Sequence, residues 1–245
     1  MRKLISTAII AFLFSASTLL AQFGQEQTAE SLVNANRAAI GQIDQSKFDN
    51  VIMKTSIVSP LDSNVKSTNL FRVKNGNKFR MDVFAASTEN FVILNDTSGL
   101  AHGLSLGIPD TLKLNKAMVE QNKQNILQQL SMFAGPFANT SPENITLEGS
   151  EKKNGIDYYK LKLTDPISGM ISDIYINKST NMLAYLESDT QQGNLELTFD
   201  KYEKHSGIII PTKITTSVNG NVYNVMSVDE FKLGADLNDS LFKVN

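Results

Sequence analysis

Between residues 78 and 83 the sequence alternates without exception, as Lys78, Phe79, Arg80, Met81, Asp82 and Val83. A period of two turns the apolar side chains to one face of a strand and the charged ones to the other, which predicts a half-wet β-sheet. The same rhythm returns where Tyr159, Leu161 and Leu163 alternate with Lys160 and Lys162. It returns again where Leu195, Leu197 and Phe199 alternate with Glu196, Thr198 and Asp200. Asn75-Gly76, Asn154-Gly155 and Asn219-Gly220 supply the positive φ of two-residue hairpin turns. Such short connections force antiparallel neighbours, because a parallel pair needs a long crossover. The pattern predicts about ten or eleven antiparallel strands. The fold class is α+β, a single curved antiparallel sheet with helices, and no Gly/Ser/Pro-rich linker divides it.

Two helical segments interrupt the strands. Ala29, Leu32, Val33, Asn36, Ala39 and Ile40 keep helical spacing, with Thr28 as N-cap and Gly41 as the left-handed residue after the end. A second stretch from Leu112 to Ala134 reads as an inserted helix stopped by Gly135-Pro136. Its apolar stripe is Val119, Ile126, Leu127, Leu130 and Phe133, and its first half is only loosely amphipathic.

Composition closes off several chemistries. With no cysteine there is no disulfide, no thiolate metal site, no cysteine nucleophile and no thiol to acylate. His102 and His205 are the only histidines, and neither a zinc set nor an Asp-rich calcium loop can be assembled. The expectation is no metal and no cofactor. Lys and Arg number 23 against 25 Asp and Glu, with no block of like charge, which argues against a nucleic-acid partner.

The N-terminus predicts a compartment. Arg2 and Lys3 precede an uncharged run from Leu4 to Leu20, and Leu19-Leu20-Ala21 before Gln22 offers a cleavage site. The chain therefore divides into a signal peptide, 1–21, and one domain, 22–245. Gln22 stands where a bacterial lipoprotein would carry cysteine. The expectation is an exported, periplasmic, soluble monomer without a lipid anchor.

Enzyme motifs are present but out of context. Gly103-Leu104-Ser105-Leu106-Gly107 spells a nucleophile elbow, with His102 adjacent and His205 downstream. An elbow needs a strand feeding directly into a helix, whereas residues 95–101 read as a loop and Pro109 falls where the helix should run. Ser63-Asn64-Val65-Lys66 matches SxxK with no accompanying KTG or SDN. Asp165, Asp173 and Asp229-Glu230 are scattered over strand ends and turns, as solvated carboxylates are. A non-enzymatic chain is the expectation, with an esterase using Ser105 as the remote alternative.

The apolar inventory remains. A half-wet sheet must curl and be covered to hide its inner face. Phe79, Met81, Val83, Phe91, Ile93, Met182, Leu195, Leu197 and Phe199 are candidates for that face. Val119, Ile126 and Leu130 are candidates from the helix that covers it. Either they form a solid core, or the inserted segment is a lid hinged on Gly99, Gly103 and Gly107 and they line a hydrophobic ligand cavity. The residues alone leave both readings open.

Three stretches carry a resemblance. They are AESLVNANRAAIGQIDQSKFDNVIMKTSIV (29–58), YYKLKLTDPISGMISDIYINKSTNMLAYLE (158–187) and FDKYEKHSGIIIPTKITTSVNGNVYNVMSVDEFKLGADLNDSLFKVN (199–245). The chain resembles the periplasmic LolA/LolB-like lipoprotein-carrier superfamily, in particular the outer-membrane lipoprotein-sorting-like proteins of Bacteroidetes. The resemblance implies an incomplete barrel with helices plugging its mouth and a cavity that accepts acyl chains. It implies a carrier in the cell envelope whose partners are lipid or lipoprotein acyl chains; on the carrier reading, the helix near 112–134 and the Gly99–Gly107 loop would gate entry. The missing cysteine argues against an anchored LolB-like receptor, and no specific lipoprotein-binding residue carries over. The alternative is a solid-cored module docking on an envelope protein partner.

Overall fold

The computed structural model describes residues 27–41, 48–60, 62–85, 88–103, 107–134, 137, 141–164 and 169–244. The expected signal peptide, 1–21, lies outside the described residues, as does Ser105.

Helix α1, Ala29–Ile40, opens the described chain. Thr28 Oγ1 accepts from the Ser31 N–H at 3.1 Å while Ser31 Oγ accepts from the Thr28 N–H at 3.0 Å, a reciprocal cap that fixes the helix start. Leu32, Val33, Asn36 and Ile40 are buried, and Gly41 ends the helix at φ 97°.

A six-stranded meander follows: β1 Val51–Ser59, β2 Asp62–Lys74, β3 Lys78–Ala85, β4 Thr88–Asn95, β5 Ser98–Gly103 and β6 Ile108–Leu114. Helix α2, Lys116–Ala134, then crosses to a seven-stranded meander. Its strands are β7 Ile145–Lys153, β8 Ile156–Thr164, β9 Ile171–Asn177, β10 Leu183–Thr190, β11 Gly193–His205, β12 Ile208–Val218 and β13 Asn221–Leu233. All thirteen strands form one antiparallel sheet in the order β6-β5-β4-β3-β2-β1-β13-β12-β11-β10-β9-β8-β7. The outer strands β6 and β7 do not pair, so the sheet is not closed into a barrel.

Asn75-Gly76, Asn154-Gly155 and Asn219-Gly220 all turn with both residues at positive φ, as hairpins of the primed type require. The ladders slip at several points, including Lys54/Thr55 against β13 and Leu147/Gly149 against β8. Bulges of this kind bend a strand and increase its twist, which is how a long sheet is made to curl.

The sheet corrects three expectations. It has thirteen strands where about ten or eleven were expected. Residues 98–103 and 108–114, read as loop and helix start, are β5 and β6. Of the glycines read as hinges, Gly99 and Gly103 are close-packed, whereas Gly107 has open space beside it. A Cβ on Gly99 would come within 3.0 Å of Leu114 and Val119, and one on Gly103 within 2.0 Å of Asn90.

One end of the sheet is shut. Asn36 Nδ2 of α1 donates to the Asn181 carbonyl at 2.7 Å, and Arg37 Nη2 donates to the Phe137 carbonyl at 2.8 Å. Helix α1 packs against β12 and β7, and Ile208 and Ile210 of β12 are buried.

Outside the sheet, the C-terminal segment clasps β3 and β4. A 3₁₀ turn, Asp239–Phe242, places Asp239 against Lys78 at 2.7 Å and Lys74 at 3.1 Å. Arg80 donates to the Leu241 carbonyl, Asn95 donates to that of Phe242, and the Phe242 ring is 1% exposed. Beneath this strap, buried Asp82 is bracketed by Arg72 and Arg80. Lys78 and then Lys74 hold the Asp239 carboxyl below its ordinary value of 3.8 by hydrogen bonding. The clasp's ionic contribution is therefore complete above that value and is lost as pH falls through the lowered one. Phe242→Ala should cost about 3–5 kcal/mol in urea denaturation by leaving a cavity under the strap. Asp239→Asn should remove part of the loss of stability on acidification. A Phe242→Ala chain as stable as the parent would show that the strap carries no load.

Candidate functional site

The other end of the sheet, where β1 ends and β13 begins, is not filled. A cavity of about 520 Å³ occupies the concavity there. Alternation along each strand decides what faces it. From β1 come Met53 and Ile57, and from β2 come Ser67, Asn69 and Phe71. Met81 and Val83 face it from β3, and Leu197 from β11. Ile214 and Thr216 of β12 and Asn224 and Met226 of β13 complete the sheet wall. Phe133, from the last turn of α2, is the helix's contribution.

The registers explain this assembly. Ile57 stands opposite Met226 on one side and Ser67 on the other, and Phe71 stands opposite Met53 and Met81. Leu197 stands opposite Thr216. Paired residues on neighbouring antiparallel strands share a face, so these side chains converge over the seam between the two meanders. No charged side chain lines the cavity among the described residues. Methionines at 53, 81 and 226 give it an adaptable wall, because an unbranched thioether repacks at little cost.

The residues singled out from sequence separate into three groups. Met81, Val83 and Leu197 line the cavity. Phe79, Phe199, Val119, Ile126 and Leu130 are buried in the core around it, and Leu195 is half-buried on the same face without lining it. Phe91 and Ile93 correct the sequence reading, because their strand register puts them on the outer face. Phe91 pairs with Asp82 and Ile93 with Arg80, whereas the inward partners of Phe79 and Met81 are Leu94 and Val92. The Phe91 ring stacks on His102 at 5.5 Å and lies 5.8 Å from the Arg80 guanidinium. Leu127, placed on the buried stripe of α2, is 46% exposed.

Sequence reasoning missed the β1, β2, β12 and β13 contributions. Val51, Met53, Thr55 and Ile57 do alternate, but Ile52 and Val58 between them hide the pattern. The outward positions of β13 include Val225, which blurs it in the same way.

Of the esterase motif, the two histidines are described and lie apart, and Ser105 lies outside the described residues. His102 Nδ1 is 3.2 Å from Thr111 Oγ1 on the outer face, at the end of the sheet where β5 finishes. His205 ends β11 at the opposite end, beside Glu203 at 3.7 Å. Among the described residues no group of three or more His, Asp or Glu could hold a metal ion, and no helix is long and apolar enough to cross a membrane.

The two faces predict different mutant behaviour. Leu197→Asp should abolish binding of a neutral apolar dye such as N-phenyl-1-naphthylamine, because it puts a charge into the cavity wall. Phe91→Ala should leave dye binding unchanged and lower only stability. Loss of dye binding in Phe91→Ala with binding retained in Leu197→Asp would reverse the assignment of faces.

Compared by sequence, the chain matches no family model and no curated relative. Its architecture does have solved counterparts. A LolA superfamily protein from Nitrosomonas europaea aligns at a TM-score of 0.57 and 16% identity, covering 89% of this chain and 98% of that one. A DUF1329 family protein from Desulfovibrio piger aligns at 0.51 and 15%, covering 88% and 97%. A domain described as an outer membrane lipoprotein-sorting protein, from Vibrio parahaemolyticus, aligns at 0.49 and 13%, covering 86% and 94%. Thirteen antiparallel strands curled around two helices and left open at one side make this a LolA-like fold.

Proposed function

We propose that the protein is an exported, non-enzymatic carrier of the cell envelope that holds a lipid or lipoprotein acyl chain in its concavity. The observation that carries this reading is the unfilled, uncharged cavity of about 520 Å³ at the seam of the sheet. A water-filled apolar space of that size is unfavourable, and an alkyl chain replaces it at roughly 0.8 kcal/mol per CH₂ removed from water. The LolA-like fold supports the reading at the level of architecture. In this proposal residues 1–21 are the export signal and residues 22–245 the carrier domain. Met81, Val83 and Leu197 contact the chain, while Phe79, Phe199, Val119, Ile126 and Leu130 hold the wall in shape. Phe133, at the end of α2, closes the cavity over the bound chain.

Affinity for a series of neutral alkyl ligands tests this. Each added CH₂ should tighten binding about fourfold until the cavity is full, after which the gain should stop. Isothermal titration or dye displacement reads the slope. A flat dependence on chain length would mean that the alkyl chain is not what the protein buries.

A further inference from the structure

The hairpin tips at the two ends of the sheet differ in chemistry. Antiparallel pairing puts the β1/β2, β3/β4, β5/β6, β8/β9, β10/β11 and β12/β13 connections at the end where the cavity lies. Three of these tips hold large apolar side chains in water. They are Phe84 near the end of β3, Met170 and Ile171 where β9 begins, and Val222 and Tyr223 where β13 begins. Ile171 is 53% exposed and Tyr223 56%. The β10/β11 turn between two of these tips, Thr190-Gln191-Gln192-Gly193, is polar and uncharged. At the opposite end the turns are polar and charged, as at 74–78, 95–98 and 177–181. There Ile156 is the one large apolar residue exposed on a hairpin among the described residues. The exposed tips also adjoin the cavity. Val83 and Asn224 line it, and Phe84 and Tyr223 are their neighbours in the chain, so alternation turns these two rings outward at the edge of the opening. Ser59 Oγ donates to the Tyr223 carbonyl at 3.2 Å, which ties the β13 tip to the end of β1.

We infer that this rim docks on the surface of a lipid bilayer, with the tips at Phe84, Met170-Ile171 and Val222-Tyr223 entering the headgroup region. This rests on the carrier reading above and adds the surface at which cargo is taken up or delivered. Two observations select a bilayer over a protein partner. The apolar side chains stand on separate hairpins with a polar turn between two of them. A fluid surface receives separated tips, whereas a protein interface is built around one contiguous packed centre. The second observation is their position at the opening. An alkyl chain passes between bilayer and cavity without crossing water only when the mouth faces the bilayer. Tyr223, with an apolar ring and a polar hydroxyl, suits the headgroup level. Residues 83–88, 169–172 and 218–225 contain no Lys or Arg, so apolar contact rather than attraction to anionic lipid holds the rim in place.

The chain contains no tryptophan, so one introduced by substitution reports on its own position alone. Tyr223→Trp, Phe84→Trp and Ile171→Trp probe the rim and Ile156→Trp the opposite end, each in the full chain. The probe surface is a vesicle of phosphatidylcholine brominated on its acyl chains. Emission from each rim variant should shift to the blue and fall about twofold when vesicles are added, because the tips enter the interface to a depth of about 5–10 Å. Emission from Ile156→Trp should not change. The rim quenching should persist as salt rises from about 0.05 to about 0.5 M, where attraction between charges is screened. Equal quenching at both ends, or none at the rim, would overturn the docking. So would quenching that requires anionic lipid and disappears in salt. A blue shift that grows with protein concentration in the absence of vesicles would assign the rim to a second copy of the chain and overturn it too. Uptake of N-phenyl-1-naphthylamine by the parent chain without vesicles separates the two readings. Uptake without rim quenching removes the docking alone, and no uptake removes the carrier reading together with the docking that rests on it.

Discussion

The ladder between β1 and β13 is the interaction on which the rest depends. Every other strand pair joins neighbours in sequence, but this one brings residues 51–58 against residues 225–233. It turns two meanders into one sheet, and the cavity straddles that seam. Met53 and Ile57 come from one side of it, and Asn224 and Met226 from the other. The slip at Lys54/Thr55 sits within the ladder, so the seam is also a place where the sheet bends. Pairing across so long a stretch of chain carries a large loop-closure cost, so completion of this ladder is expected to be a late and slow event in folding.

A curled sheet of this length has more inner face than two helices can cover. Helix α1 and its buried residues fill one end, and among the described residues Phe133 is the one that α2 contributes to the cavity lining. Packed core and open cavity, the two alternatives the residues left, are therefore both present in one molecule, the cavity at the end away from α1. The helix ends matter for this division. The Thr28/Ser31 cap and the Asn36 and Arg37 hydrogen bonds fix α1 in place, so the filled end is rigidly built. Stability then comes from the filled half and from the strap outside β3 and β4, and the cavity half is left free to be specialised.

Much of the architecture was legible because its signals are local. Period-two alternation and three Asn-Gly turns announce antiparallel hairpins, and Thr28 and Gly41 bracket α1 with a cap and a left-handed stop. What failed was the assignment of faces where alternation is absent. Phe91, Val92, Ile93 and Leu94 form an unbroken apolar run because both faces of β4 are covered, the inner by core and the outer by the C-terminal strap. The residues doing that covering, Leu241 and Phe242, lie nearly 150 positions away, and no local pattern can report them. β6 was hidden for a related reason. Its Leu112-Lys113-Leu114 runs straight into α2 through Asn115 alone, so strand and helix merge into one polar, apolar-speckled stretch. The polar residues of the cavity lining, Ser67, Asn69, Thr216 and Asn224, carried no signal in the sequence, since an inward-facing polar residue is recognised only once its face is known.

The central claim is that the open half of the sheet holds a ligand with an alkyl chain. Native mass spectrometry of the chain purified without detergent, followed by lipid extraction, addresses it most directly. The account predicts a bound mass that resolves on extraction into an acyl-bearing molecule. A clean mass for the protein alone, unchanged after incubation with lipids, would contradict it.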